Sequence, residues 1–286
     1  MNIWDRALAN LVEAALHEDI GDGDHSTLSC IPPDKQGKAV LKIKESCIIA
    51  GITVAEKILS HVAPAAKFLL FKRDGEKVEI GETAFELTAS VPTILKTERL
   101  VLNCMQRMSG IATLTAQYVA AIAHTKAKLL DTRKTTPNFR LLEKEAVRIG
   151  GGMNHRFGLY DMIMLKDNHI DFCGGIEPAI NKAYTYSRSL PKPLAIEIET
   201  RTLEDVQKVC DIGEGKVMRI MLDNFAPTDI CEALKIINGK FETEASGGIR
   251  LENIAKYAET GINYISVGGI IHQAKSVDLS LKAVIL

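Results

Sequence analysis

A chain of 286 residues is long enough for one large domain or two ordinary ones, each with a full hydrophobic core. Apolar residues make up 46% and charged residues 25%, and the formal charge is -1, so bulk charge argues against a nucleic acid or a membrane surface as partner. Charges interrupt every apolar stretch before it reaches the ~18 residues of a spanning helix, so no membrane partner is expected.

In chain order, MNIWDRALANLVEAALHED predicts an amphipathic helix over Ile3–His17, and it lacks the basic-then-apolar order of a secretory leader. EDIGDGDHST, Glu18 to Thr27, superficially suggests a calcium loop, but EF-hand spacing and the closing glutamate are absent and a structured turn is expected. Strand-like runs at Ala39–Cys47, Lys67–Lys72 and Ala84–Ala89, with turns at Asp74-Gly75 and Ile80-Gly81, predict a small antiparallel sheet. From Thr97 to His124 the pattern is helical, and Ser109-Gly110 is expected to weaken or interrupt it.

After residue 125 short apolar runs alternate with amphipathic stretches, as parallel βα units require. The candidate strands are Lys128–Asp131, Asp161–Leu165, Leu194–Glu199, Val217–Leu222, Phe241–Ala245 and Tyr264–Val267. Such a series favours a barrel over an open doubly wound sheet, and no GxGxxG follows its first strand to point to a dinucleotide. The expected fold is α/β: an N-terminal α+β domain of helices on a sheet, then an incomplete α/β barrel of about six parallel βα units. The boundaries are placed at 1–112, joined by the C-terminal segment 273–286, and at 113–272. The cysteines, Cys30, Cys47, Cys104, Cys173, Cys210 and Cys231, contain no CxxC pair, so neither zinc nor a disulfide framework is indicated and a reducing cytoplasmic setting is expected.

Each candidate strand ends in polar residues, and in a parallel barrel those ends share one rim. Arg133 and Lys134 follow the first strand, His155 and Arg156 follow Gly150-Gly151-Gly152, and Lys166 follows the second strand. Singly, each reads as a solvated charge or a salt-bridge partner. Together on one rim they would repel one another unless a multiply charged anion binds, and the guanidinium fork suits carboxylate or phosphate. Alternation puts Glu197 and Glu199 on one strand face. Glu199 and Asp223, at strand ends, are placed to stabilise a cationic sugar centre or to meet Mg²⁺ carried by a diphosphate, whereas Glu197 reads equally as a partner for an interior lysine or arginine. Ser246-Gly247-Gly248 and Val267-Gly268-Gly269 are candidate phosphate turns after the last two strands, and His272 is either an added donor or a structural histidine.

These residues lie in long motifs: EDIGDGDHST, ERLVLNCMQRMSGIAT, DTRKTTP, GGGMNHRFGLYDMIMLKDNH, IEIET, MLDN, EASGGI and YISVGGIIH. Over nearly its whole length the chain resembles the quinolinate phosphoribosyltransferases. The resemblance implies transfer of a phosphoribosyl group from phosphoribosyl diphosphate to quinolinate with decarboxylation, Mg²⁺ accompanying the diphosphate, and no organic cofactor. It implies a homodimer, with assembly beyond the dimer left open, in which Arg99 reaches the partner's site. By the same resemblance Arg133, His155, Arg156 and Lys166 bind quinolinate, and Thr132 and Lys134 stand beside the substrates. Lys134, Glu199 and Asp223 take the catalytic roles, the two carboxylates holding the ribose and placing Mg²⁺ directly or through substrate. Ser246, Gly247, Gly248, Val267, Gly268, Gly269 and His272 would cradle phosphate. Two rivals use the same residues: a Schiff-base lysine in an aldolase-like barrel, and a non-catalytic anion-binding or metal-uptake accessory protein derived from the family.

Overall fold

A computed structural model of the chain describes residues 3–284. The chain divides into two compact units: Met1–Ala116, Thr135–Gly151 and Ile270–Leu286 form the first, Gln117–Lys134 and Gly152–Gly269 the second. The elements begin with α1 (Ile3–Ile20), α2 (His25–Cys30), β1 (Gln36–Ile43), β2 (Cys47–Ile48), α3 (Ile52–Val62), β3 (Lys67–Leu70), β4 (Lys77–Val78), β5 (Thr83–Ser90) and α4 (Val91–Ala121). They continue with β6 (Lys128–Leu130), α5 (Arg140–Ile149), β7 (Ile163–Leu165), α6 (Asp167–Cys173), α7 (Ile176–Ser189), β8 (Ile196–Thr200), α8 (Leu203–Ile212) and β9 (Arg219–Asp223). The last are α9 (Pro227–Ile237), β10 (Glu242–Ser246), α10 (Ile254–Ala258), β11 (Tyr264–Ser266), α11 (Gly269–His272) and β12 (Leu279–Val284).

The first unit contains an antiparallel sheet in the order β12-β1-β5-β3, and β2 pairs with β4. Leu41 and Ile43 of β1 and Phe85 and Leu87 of β5 are fully buried, so the apolar side chains of these strands form a core. The turn read in EDIGDGDHST leads into α2, where the Asp24 side chain accepts from the Thr27 amide and caps the helix. Residues 135–151 are tied into this unit by the Glu143 carboxylate, which accepts from Arg107 and from the Thr136 amide.

The expected weakness at Ser109-Gly110 is overturned, because α4 runs unbroken for 31 residues. Both residues serve contacts across the unit rather than a break. The Ser109 hydroxyl binds the Ala50 amide and carbonyl. A Cβ on Gly110 would stand 1.9 Å from the Lys275 carbonyl oxygen, so glycine here permits a close backbone approach.

The second unit is one parallel sheet in the order β6-β11-β10-β9-β8-β7. The first strand lies beside the last, which is the neighbour relation of a barrel and not of a doubly wound sheet, and the order leaves β6 and β7 as the two ends. On the free edge of β6 the Met153 backbone bonds to Leu129 and Asp131, extending that edge into the segment that follows the three glycines. The helices cover the sheet, so β8 is buried at every residue. Register puts Glu197 and Glu199 of β8, Arg219, Met221 and Asp223 of β9, and Glu242, Glu244 and Ser246 of β10 on one face. That face is charged although it lies inside a sheet, and it carries the site.

Replacing Gly110 by alanine forces a clash with backbone that has little freedom to move, and destabilisation of roughly 1–3 kcal/mol is expected. Urea denaturation of Gly110→Ala against the parent checks this, and an unchanged midpoint would show that the Lys275 segment yields freely.

Candidate active site

Asp131, directly after β6, is wholly buried, and its carboxylate accepts from the Asn154 side chain and from the His155 amide at 2.7 and 2.8 Å. This contact fastens the end of β6 to the segment that carries His155 and Arg156. Thr132 and Arg133 are half-buried and Lys134 is exposed, with the Thr132 hydroxyl accepting from the Lys134 amide at 3.0 Å. Arg156 is half-buried, and its Nη1 donates to the Met162 carbonyl at 3.2 Å. Burial and the charge of Arg133 pull Arg156 below the usual arginine range. Lys166, after β7, reaches across to Glu199 Oε2 at 3.2 Å, joining the basic set to the carboxylate set.

The carboxylates sit at successive strand ends. Glu199 is buried on β8, Asp223 closes β9 and accepts from the Asn224 side chain at 2.7 Å, and Ser246 closes β10 opposite Asp223 in register. Gly247 has φ +93°, and a Cβ there would lie 2.2 Å from Asn224 Oδ1, so the turn after β10 needs glycine for conformation and for room. Val267 is buried, with Gly268 and Gly269 partly accessible after β11. Arg133 and Lys134 thus follow β6, Lys166 follows β7, Glu199 and Asp223 occupy the C-terminal ends of β8 and β9, the glycine turns follow β10 and β11, and Arg156 comes shortly after the Met153 bridge to β6. Arg99, on an exposed position of α4, and His272, which ends α11, belong to the first.

Beneath these strand ends lies a charged set that the sequence reading only partly identified. His155 Nε2 stands 3.0 Å from Glu197 Oε2 and 3.4 Å from Glu244 Oε2. Arg219 Nη1 stands 2.9 Å from Glu244 and 3.9 Å from Glu197, while its Nε and Nη2 donate to Glu242. The guanidinium also lies over the Tyr264 ring, 4.0 Å from its centroid. Glu197 therefore faces an interior arginine, one of its two expected roles, together with a histidine.

His155 Nδ1 accepts from the Arg156 amide at 2.7 Å, so the neutral ring carries its proton on Nε2, toward the carboxylates. Burial would lower His155, but Glu197 and Glu244 push it up to about 9. Burial and the Glu244 charge raise Glu197, whereas Glu244, despite its burial, is held below the usual carboxylate range by His155, Ser266 and Arg219. The pair His155–Glu197 thus retains an extra proton into the alkaline range, and the amide on Nδ1 keeps that proton on the carboxylate side. His155, Glu197 and Glu244 present ligand atoms close enough to enclose a metal ion. Arg219 already supplies the positive charge there, so a divalent ion would be set against a guanidinium.

Glu244, Arg219 and Asp131 escaped the sequence reading as site residues. For Arg219 and Glu244 a signal was present: a charge inside an apolar strand (VMRIML) and the alternating acids of FETEAS, charges that need a partner if the strand is buried.

Family models described as Quinolinate phosphoribosyl transferase, N-terminal domain and C-terminal domain, match residues 24–109 and 111–282. The chain is 42% identical over 288 residues to the chloroplastic nicotinate-nucleotide pyrophosphorylase (carboxylating) of Arabidopsis thaliana, covering 96% of this chain and 82% of that one. It is 40% identical to the probable nicotinate-nucleotide pyrophosphorylase (carboxylating) of Bacillus subtilis, covering 96% and 92%. The crystal structure of NadC from Streptococcus pyogenes superposes with a TM-score of 0.89 at 39% identity, over 96% of this chain and 94% of that one.

An extra proton held in the native state favours folding at low pH. With His155 raised from 6.5 to about 9, the stabilisation is complete below pH 6.5 and is lost as pH rises toward 9. The expected slope is at most ~1.4 kcal/mol per pH unit, and Glu197→Gln flattens it. Unfolding measured at several pH values across that window checks this, and equal slopes in both proteins would remove the His155–Glu197 proton from the account.

Proposed function

The chain belongs to the quinolinate phosphoribosyltransferase family, and we propose that it transfers a phosphoribosyl group to quinolinate through the basic rim and strand-end carboxylates described above. The reaction consumes quinolinate and phosphoribosyl diphosphate and releases nicotinate mononucleotide, diphosphate and carbon dioxide, a step of NAD biosynthesis. The observation that supports the residue assignment is the Lys166–Glu199 contact of 3.2 Å, which joins a basic residue after β7 to a carboxylate at the end of β8 and so brings together a group for an anion and a group for a sugar.

In this reading Arg133, Arg156 and Lys166 hold the carboxylates of quinolinate, joined by Arg99 of a second copy in a homodimer. Thr132 and Lys134 stand between the two substrates, and His155 supports the quinolinate end. Glu199 and Asp223 face the ribose, and Ser246, Gly247, Gly248, Val267, Gly268, Gly269 and His272 take the phosphate side, where glycine lets backbone amides come close. Oxygen donors such as Glu199 and Asp223 suit Mg²⁺, which with the diphosphate would neutralise charge on the leaving group. A cytoplasmic setting fits the free thiols, and no helix among the described residues is long and apolar enough to cross a membrane.

The chemistry follows from this placement. The ring nitrogen of quinolinate gives its lone pair to C1 of the sugar as the C1–oxygen bond to diphosphate breaks, and the leaving group takes that electron pair. Negative charge at Glu199 and Asp223 stabilises the cationic character at C1, and the rim supplies alignment. The attacking nitrogen carries no proton, so no general base is needed for transfer. The positive ring then accepts the electrons of the bond to the adjacent carboxylate, carbon dioxide leaves, and the ring carbon takes up a proton. Lys166 has a further part. In this reading its ion pair with Glu199 opens when a quinolinate carboxylate takes the ammonium, and this frees Glu199 for the ribose.

Incubation with quinolinate, phosphoribosyl diphosphate and Mg²⁺ should yield nicotinate mononucleotide and carbon dioxide in equal amounts, with little product from nicotinate. Arg156→Ala should raise KM for quinolinate roughly 10- to 100-fold, as loss of a charge-assisted hydrogen bond of ~1.5–3 kcal/mol implies. An unchanged KM would withdraw Arg156 from the quinolinate site. Arg99→Ala mixed with Lys134→Ala should regain activity through mixed dimers, and no recovery after verified subunit exchange would sink the shared site.

A further inference from the structure

We propose that Glu197, Glu244 and Arg219 are positioning residues for quinolinate binding: they hold His155 in one orientation so that its Nδ1 fixes the main chain of Arg156. The proposal rests on the assignment of Arg156 to quinolinate and extends it to side chains that lie below the substrate.

His155 is fixed at three points. Its amide donates to Asp131, its Nε2 faces Glu197 and Glu244, and its Nδ1 accepts from the amide of Arg156. The first contact places the backbone, the second sets the ring orientation, and the third transmits that orientation to the next residue. Arg156 is then held at its amide by His155 and at its guanidinium by the Met162 carbonyl, leaving the rest of the fork for an anion. Arg219 completes the device by standing between Glu244 and Glu242, so that the carboxylates facing His155 keep their place.

A buried ionic cluster of this kind is weak as a source of stability, since well-packed apolar residues of the same volume often do as well or better. Its place under a binding segment is accounted for if it sets geometry, as a hydrogen bond to the far side of a ligand-binding side chain does when it fixes that side chain's orientation. The cluster draws on β8, β9 and β10 together, so the position of Arg156 is referred to the rigid sheet and not to the loop that carries it.

The test is steady-state kinetics on the full chain, with thermal melting to verify folding. Glu244→Gln and, as a milder second variant, Arg219→Lys should each raise KM for quinolinate roughly fivefold or more, with KM for phosphoribosyl diphosphate and kcat changed much less. His155→Asn retains an acceptor near the Nδ1 position, whereas His155→Gln retains only the reach toward the carboxylates, so the asparagine variant should bind quinolinate better. In the His155→Asn background Glu244→Gln should have little further effect on KM, because it acts through the lost ring. Equal rises in both KM values, or effects that add fully in the double variant, would overturn the proposal. If Arg156→Ala raises KM for quinolinate while folded Glu244→Gln and Arg219→Lys do not, the positioning role alone fails. If Arg156→Ala itself leaves KM unchanged, the substrate assignment beneath it fails.

Discussion

The second unit is organised around a condition that its sheet must meet: a face carrying Glu197, Arg219 and Glu244 has to be electrically satisfied where water has little access, with the more accessible Glu242 at its margin. Removing such ions from water costs several kcal/mol each, and only close pairing offsets this. The pairing here depends on register. Arg219 lies level with Glu197 on one neighbour and with Glu242 on the other, so a slip of one residue would separate the guanidinium from its carboxylates and turn it to the helix-covered face. The polar face thus specifies the strand alignment that an apolar face of interchangeable isoleucines and leucines would leave less determined.

From that condition the site acquires two levels. The lower one consists of charges paired within the protein: His155 against Glu197 and Glu244, and Arg219 against Glu242 and Glu244. The upper one consists of groups at or beyond the strand ends, Arg133, Lys134, Arg156, Lys166, Glu199 and Asp223, the residues proposed to meet the substrates. The same strands carry both levels, and distance along the strand decides which residues are consumed by structure and which remain for substrate. Asp131 belongs to the lower level by its burial and to the upper one by its position directly before Thr132, Arg133 and Lys134.

Much of this was legible in the sequence because it depends on periodicity and on strand ends. Every parallel strand lies where a short apolar run predicted one, and the polar residues after those runs follow the C-termini of the strands. Features that depend on contacts distant in sequence were less legible. Gly110 looked like a helix breaker because its propensity is local, whereas its use is a close approach to Lys275 more than 160 residues later. Glu244 and Arg219 are not singled out by the sequence, because a single strand does not disclose its neighbours' register. The outcome for Glu197 shows the limit well: alternation placed it on the face of Glu199, but only the fold could supply the histidine and arginine that claim it.

Glu197 and Glu199 show why that limit matters for chemistry. They are the same residue type on the same strand face, one pleat apart, and both are buried. Glu197 meets His155 and Arg219, partners that are themselves enclosed, so its charge faces partners within the protein. Glu199 meets Lys166, whose side chain is 47% accessible and can exchange one carboxylate for another when an anion arrives. A carboxylate with an exchangeable partner can respond to substrate, whereas one with enclosed partners can only hold its surroundings in place. In this sheet mechanism and scaffold are therefore divided by the accessibility of the partner and not by the identity of the acid.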